Sequence, residues 1–516
     1  MDSFPVLSAI TFLPLVGALI ILFFVREDDN VVGSRRAQQI ALLTSVCAFF
    51  FSVYIVWEFN PADTGFQFVE RYVWIPSFNI AYIKGIDGIS VWFVMMSALL
   101  TPACIMAARV GVKKRGREFM LAILLLESMM IGVFTSLDFV LFYLFFEGIL
   151  VPMFLIIGVW GGEKRVYAAY KFFLYTLLGS VMMLVGIFAM AVHTGTTDMT
   201  QMMGGKFPKE MALWLWLAFF CSFAVKTPMW PFHTWLPYAH VEASTAGSVI
   251  LSGILLKMGT YGFLRVSIQM LPEASKHFAP LVIWLSLIGI VYTGLVGLAQ
   301  TDMKKVIAYM SVTHMAFVTL GIFSFNDQGF DGAMMSMLSH TFVSAALFLC
   351  VGVAYDRMHT RQISHYGGAA INMPLYAAVF MIFMLASIAL PGTSGFVGEV
   401  LAMQGAFLVN SWYGLFAATG MVLVASYMLV LYRRVFYGPL VKEEVRAMMD
   451  LNKREIATFV PLLMLVLLIG IHPSTFRDVY APTLQKILAD YQSQSNGQPL
   501  AQAAPSATLA HEAQHD

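Results

Sequence analysis

Runs of about 18 or more apolar residues recur along the chain between short polar connections, and each can cross a hydrocarbon core about 30 Å thick at 1.5 Å per residue. The pattern predicts an all-α polytopic membrane protein with about fourteen transmembrane helices, the first near residues 4–25 and the last near 456–471. The first run, Phe4 to Val25, has no basic residue before it and no small-residue cleavage site after it, so it is expected to stay as a helix rather than leave as a signal peptide. Two runs at matching places are interrupted: KTPMWPFHTWLP at 226–237 and LPGTSGFVGE at 390–399 set Pro and polar residues at membrane depth. Such backbone is tolerated only where protein or a hydrated cavity satisfies the freed groups, and paired breaks mark the ion path of inverted-repeat transporters. Broken helices 7 and 12, in two inverted five-helix repeats, are therefore expected; two ordinary proline kinks are the alternative. The division that follows is helices 1–3 in 1–115, one repeat in 116–270, a second in 271–440, the last transmembrane helix with its flanks in 441–488, and a polar tail in 489–516. The tail, with QSQSNGQPLAQAAPSA at its centre, has too little apolar content to offset the entropy of ordering and reads as disordered.

Composition agrees with a lipid environment, since 59% of the 516 residues are hydrophobic and 12% charged, against about 25% charged in an average soluble domain. A formal net charge of +1 without a basic face gives nucleic acid nothing to hold. Cys47, Cys104, Cys221 and Cys350 fall in separate predicted helices without CxxC spacing, which argues against iron-sulfur clusters, zinc or a disulfide framework. When the connections are assigned alternately to two sides, about 20 of the Lys and Arg residues fall on one side and about 8 on the other, and the positive-inside rule makes the richer side the cytoplasm. Arg26, Arg35, Arg36, Arg109 to Arg117, Lys164, Arg165, Lys304, Lys305, Arg357, Arg361 and Arg433 to Arg454 carry that bias. An even helix count then puts both termini on the far side.

An ionised side chain at the bilayer centre costs roughly 2.5 to 3.5 kcal/mol on insertion scales, so each one retained points to function. Six stand out: Glu147 in LFFEGIL, Lys226 beside the first break, Lys257 in ILLKMG, His314 in SVTHMAF, His340 in MLSHTF and Glu399 just after the second break. Glu147 and Lys226 are expected within ion-pair reach, as a coupled switch or as a static buried pair. Lys257 has no evident partner nearby in sequence, and desolvation lowers the pKa of such an amine toward the working range, which makes it the best single proton site. Taken alone, His314 and His340 read as hydrogen-bonded core histidines; with Lys257 and Glu399 in one membrane their titration near neutral pH favours a relay. Glu399 is the candidate terminal donor toward the outside, or else a cap on the half-helix after the break. His233 and His240 flank the first break toward the basic side and pass protons in or line a turn; no HExxH or comparable metal set accompanies them.

VKTPMWPFHTWLPYAHVEAST, ILLKMGTYGFLR, LAQTDMKKVIAYMSVTHMAF and PGTSGFVGE resemble the shared core of the antiporter-like subunits of proton-translocating NADH:quinone oxidoreductase (respiratory complex I) and of multisubunit sodium/proton antiporters, a likeness that spans residues 85–440. The resemblance implies a subunit without a redox centre: flavin, iron-sulfur clusters and quinone belong to partner subunits, and other membrane-arm subunits, especially antiporter-like ones, lie beside it in a bacterial inner membrane with both termini periplasmic. It further implies a half-channel built on Glu147 and Lys226, a central Lys257, and an exit through His314 and His340 to Glu399. Two positions depart from the family pattern, which commonly has an acid where Tyr238 stands and Gly where Thr341 stands. A sodium/proton antiporter subunit is the alternative, and a solute transporter fits the Lys/His line poorly. Sodium wants oxygen ligands, whereas Lys and protonated His only donate hydrogen bonds, so protons are the expected cargo.

Overall fold

The computed structural model describes residues 4–25, 31–112, 114–204 and 207–495. Arg26, Lys113 and residues 496–516 of the tail lie outside the described residues. The chain runs α1 (Val6–Phe24), α2 (Ser34–Glu58), a hairpin of β1 (Gln67–Ile75) and β2 (Ile80–Ile86), then α3 (Ser90–Arg109), α4 (Gly116–Thr135), α5 (Phe139–Trp160) and α6 (Arg165–Thr194). There follow α7 (Lys209–Lys226), α8 (Trp235–Glu242), α9 (Thr245–Ile268), α10 (Pro272–Leu298), α11 (Met303–Ile322) and α12 (Asp327–Met358). The chain closes with α13 (Pro374–Ser387), α14 (Ser394–Val409), α15 (Ser411–Phe436), α16 (Lys453–Ile471) and α17 (Ser474–Ser495).

Among the described residues twelve helices are long and apolar enough to cross a membrane, fewer than the fourteen spans expected. The difference falls at the two breaks. Helix α7 carries Lys209, Glu210 and Lys226 in only 18 residues, and the twelfth expected span is two short apolar halves, α13 and α14. Asp or Asn side chains cap the helices that start in short connections: Asp138 on α5, Asp302 on α11, Asn326 on α12, Asn410 on α15, and Asn452 with Glu455 as a capping box on α16.

Helices α9 and α12 form the centre, buried all round over their apolar windows, while α1, α6 and α15 leave large hydrophobics exposed, as lipid-facing helices do. Small residues bring α12 and α14 close. A Cβ at Gly332 would strike the Ala402 backbone, one at Gly398 the Ser336 backbone, and one at Gly405 the Gly329 backbone. That contact sets Glu399, next to Gly398, against the bundle centre.

Two expectations are corrected. The chain is not all-α: QFVERYVWI and IAYIKGI pair as an antiparallel hairpin, consistent with their β-branched and aromatic content. The polar tail does not begin at 489, because α17 continues to Ser495. Phe476, Tyr480, Leu484, Ile487, Leu488 and Tyr491 form its buried stripe. Phe476 meets Trp92, Tyr491 stacks on Phe325 at 4.1 Å, and Arg477 pairs with Asp331 at 2.8 Å.

Candidate functional site

Lys257 sits on α9 between two π-helical stretches, Leu251–Leu255 and Phe263–Ile268; such widened turns are rare and concentrate at functional sites. Its Nζ donates to the Ser252 carbonyl at 2.6 Å, inside the first widened turn, and lies 2.7 Å from His340 Nδ1 on α12. An ammonium can only donate, so a charged Lys257 requires an unprotonated Nδ1, and one proton serves the two nitrogens. Lys257 therefore has its partner 83 residues away, beyond the reach of local sequence. His314 on α11 meets Glu399 on α14, Nδ1 to Oε1 at 2.7 Å, and the two histidine rings stand 5.6 Å apart. His314 Nε2, His340 Nε2, Glu399 Oε2 and Ser336 Oγ are buried without a hydrogen-bond partner among the described residues. Their side chains line one cavity of about 10 Å³, room for about one water with two to four polar partners. Lys257, His340, His314 and Glu399 thus form a nearly continuous line. Glu399 does not cap its half-helix: it is the sixth residue of α14, past the first turn, and its carboxylate is turned to His314.

The first half of the expected line is built differently. Glu147 on α5 is half-buried. Lys226 ends α7, 2% exposed, with its ammonium 4.6 Å from the centroid of the Phe146 ring and no hydrogen-bond partner among the described residues. The expected ion pair with Glu147 is not formed at hydrogen-bond distance; the ring preceding Glu147 holds the ammonium through cation–π attraction instead. The end of α7 lies against α9 at Gly259, where a Cβ would meet the Phe223 carbonyl and Thr227. Lys226 is thereby held beside the helix that carries Lys257.

The two candidate uptake histidines separate. His233, in the one-turn helix after the break, faces Tyr292 and Tyr309. His240 on α8 stacks on Phe348 of α12 at 4.5 Å, with both ring nitrogens buried and unpartnered. Tyr238, at the position where the family pattern has an acid, places its ring 4.2 Å from the Lys171 ammonium.

Sequence reasoning passed over several buried charges. Glu127, midway along α4, is 0% exposed and neither carboxylate oxygen has a hydrogen-bond partner among the described residues; a lone Glu in LAILLLESMMIGVF was the available signal. Lys304 on α11 donates to the Ala243 carbonyl at 2.7 Å and to Ser248 Oγ at 3.5 Å. Lys84 on β2 donates to Thr11 and Thr135 hydroxyls at 2.5 and 3.1 Å, and burial pulls its pKa down to about 7, opposed by nearby Glu70. Arg265 pairs with Asp87 at 2.7 Å, tying α9 to the segment before α3, and donates from its Nε to the Tyr261 hydroxyl at 3.2 Å within α9.

Fold and site together define a multi-pass membrane protein whose interior is threaded by protonatable side chains. The family described as NADH:quinone oxidoreductase/Mrp antiporter, TM, matches residues 136–425. A relative from Rhodobacter capsulatus named NADH-quinone oxidoreductase subunit M is 52% identical over 500 residues, 94% of this chain and 97% of the relative. The chain belongs to this family. FFEGILVPMFLIIGVWG and Glu399 on the broken helix point within it to the subunit M branch; a relative in Marchantia polymorpha, named NADH-ubiquinone oxidoreductase chain 4, is 49% identical over 471 residues, 91% of this chain and 94% of the relative. A chain in the structure of respiratory complex I from Thermus thermophilus with bound NADH superposes with a TM-score of 0.86 at 28% identity, covering 94% of this chain and 99% of that one. A chain of the Mrp complex from Dietzia sp. DQ12-45-1b shares the fold, with a TM-score of 0.79 at 21% identity, over 93% of this chain and 99% of that one.

Proposed function

We propose that this chain moves protons across a bacterial inner membrane as a membrane-arm subunit of NADH:quinone oxidoreductase, driven by electron transfer from NADH to quinone in partner subunits. Flavin, iron-sulfur clusters and quinone belong to those partners, and neighbouring antiporter-like subunits are its immediate contacts. The observation that carries the reading is the pair of 2.7 Å contacts, Lys257 to His340 and His314 to Glu399, whose unpartnered nitrogens and oxygen share one cavity in the bundle interior. Hydrogen bonds of this length are short enough for a proton to pass, and each member can gain or lose one.

The route reads Glu147, Lys226, Lys257, His340, His314, Glu399. Charge on Lys226 opposes charge on Lys257 because both ammonium groups sit in low dielectric, so loading or unloading the first half shifts the proton held by the second. Counted with the two broken spans, the chain has fourteen helices in which 116–270 and 271–440 are inverted repeats, each broken at its fourth helix; the basic ends face the cytoplasm and the termini the periplasm. The sodium/proton antiporter alternative is weaker, since between Lys257 and Glu399 the line runs through His340 and His314, nitrogen groups where sodium wants oxygen ligands. Inside-out membrane vesicles test the reading. Lys257→Ala is expected to cut NADH-driven proton uptake by about 100-fold, the scale of a lost acid–base group, at unchanged complex content. Normal uptake would refute it.

A further inference from the structure

Lys257 and His340 are 0% and 4% exposed, so protons from the basic face need a route inward. Two adjoining cavities lead toward them between α12 and α16. The outer, about 340 Å³, is lined by Asp356 and Arg357 at the end of α12 and by Asn452, Arg454 and Glu455 at the start of α16. The inner, about 30 Å³, shares Asp356, Arg454 and Glu455 and extends to Leu349, Gly352 and Thr245, the first residue of α9. That is room for one or two waters.

The carboxylates of this vestibule differ. Glu455 is engaged: it takes two bonds from Arg357 at 2.9 and 3.1 Å, lies 3.9 Å from Arg454, and accepts the Asn452 backbone N–H in the α16 capping box. Both arginines are thus paired with Glu455, and Asp356 has no ion pair or hydrogen bond among the described residues. It stands where both cavities meet.

From Asp356 the i, i+4 ridge of α12 winds inward through Gly352, Phe348 and Ser344 to His340. At Gly352 a Cβ would collide with the Thr245 side chain, so α9 closes on α12 there and ends the inner cavity. One turn further in, Phe348 stacks on His240, whose ring nitrogens are both buried and unpartnered. Lys304 and Ser248 hold the backbone around His240, the ammonium on the Ala243 carbonyl and the hydroxyl donating to the His240 carbonyl at 3.1 Å. One more turn brings Ser344, which donates to the His340 carbonyl at 2.6 Å. His233 faces α10 and α11 and has no place on this path.

We propose that Asp356 is the proton-collecting carboxylate of a vestibule between α12 and α16, and that His240 is the inner acceptor delivering protons to the Lys257–His340 pair. This deepens the axis reading and rests on it. The Asp356 carboxylate takes a proton from water at the basic face and returns to its anion as the proton passes into the water of the inner cavity; from the Thr245–Gly352 contact that ends this cavity, the proton crosses one turn of α12 to a His240 nitrogen when α9 and α12 part there. The imidazolium then gives up one proton to the Lys257–His340 nitrogens and is neutral again. Asp356 faces Arg357, Arg454, Glu455 and His359, feels Lys304 from α11 and shares the outer cavity with Glu444; His240 faces Lys304 from α11, Lys257 from α9 and His340 from α12.

The test uses the whole complex in membrane vesicles of both orientations. A membrane-impermeant methanethiosulfonate applied to the basic face is expected to modify Thr245→Cys, read by mass spectrometry of this chain against the unsubstituted one, and not from the opposite face. Asp356→Asn is expected to slow proton uptake about tenfold at pH 8, the lower end of what charge focusing contributes to an on-rate, and to approach wild type at pH 6, where protons are a hundred times more concentrated. Asp356→Glu should keep the wild-type profile. A Thr245→Cys thiol unreachable from the basic face, an Asp356→Asn rate equal to wild type at pH 8, or a loss independent of pH would each overturn the proposal. Lys257→Ala run in parallel separates the two readings: if it pumps normally the axis is wrong, and the vestibule stands or falls on the labelling.

Discussion

The two halves of the buried line handle charge in opposite ways. From Lys257 onward every ionisable group is in contact with, or one water from, the next, and the contacts join α9, α12, α11 and α14. In the first half Glu147 is half-buried, Lys226 rests on an aromatic ring, and Glu127 has no hydrogen-bond partner among the described residues. Paired groups share a proton and titrate as a unit, whereas an isolated buried charge responds to whatever charge comes near it. Under the proposed function, the second half is built to conduct and the first to sense.

Breaking the second half has the largest expected effect. Glu399→Gln should lower proton uptake by about 100-fold with the complex assembled, because an amide keeps the hydrogen bond to His314 but cannot exchange a proton. Glu399→Asp should retain partial activity, one methylene short of the same contact. Wild-type uptake by Glu399→Gln in vesicles of matched content would make Glu399 structural.

A double-mutant cycle sharpens the contrast. In the second half, His314→Gln and Glu399→Gln should be strongly non-additive in uptake rate, as expected of residues acting as one unit. Glu147→Gln and Lys226→Met, lacking a direct bond, should add in thermal stability to within about 0.5 kcal/mol. A coupling above about 1 kcal/mol would show a closed Glu147–Lys226 pair to be the dominant state.

Glu127→Leu should leave assembly intact and raise stability by about 1 to 3 kcal/mol, since it removes a buried polar group without partners. Thermal denaturation of the isolated complex measures this. Loss of proton uptake in the same variant would add Glu127 to the sensing charges.

The smallest effect concerns the hairpin. Lys84 is protonated in the unfolded chain up to about pH 10.5 but in the folded chain only below about 7. Between these values the unfolded form binds the extra proton, so attachment of the hairpin weakens as pH falls from about 10 to 7 and levels off below. Hydrogen exchange of residues 67–86, corrected for intrinsic rates, should show this slope, and Lys84→Met should flatten it.

The apolar runs, the two breaks and the burial of Lys257, His314, His340 and Glu399 were legible in the sequence because hydrocarbon penalises a charge or an unpaired backbone group wherever it falls along the chain. Partnership was not. Lys257 meets His340 and His314 meets Glu399 across 83 and 85 residues, and only the close approach of α12 and α14 at small residues brings those helices into register. The hairpin was hidden by its brevity between long helices, and the widened turns around Lys257 leave no mark in composition. Ion pairing between Glu147 and Lys226 followed from opposite charge at similar depth, but the position of one ring, Phe146, decides what the ammonium touches. The cost of burial is a property of each residue and can be read one position at a time; the relief of that cost is a property of pairs, and it exists only once the helices are packed.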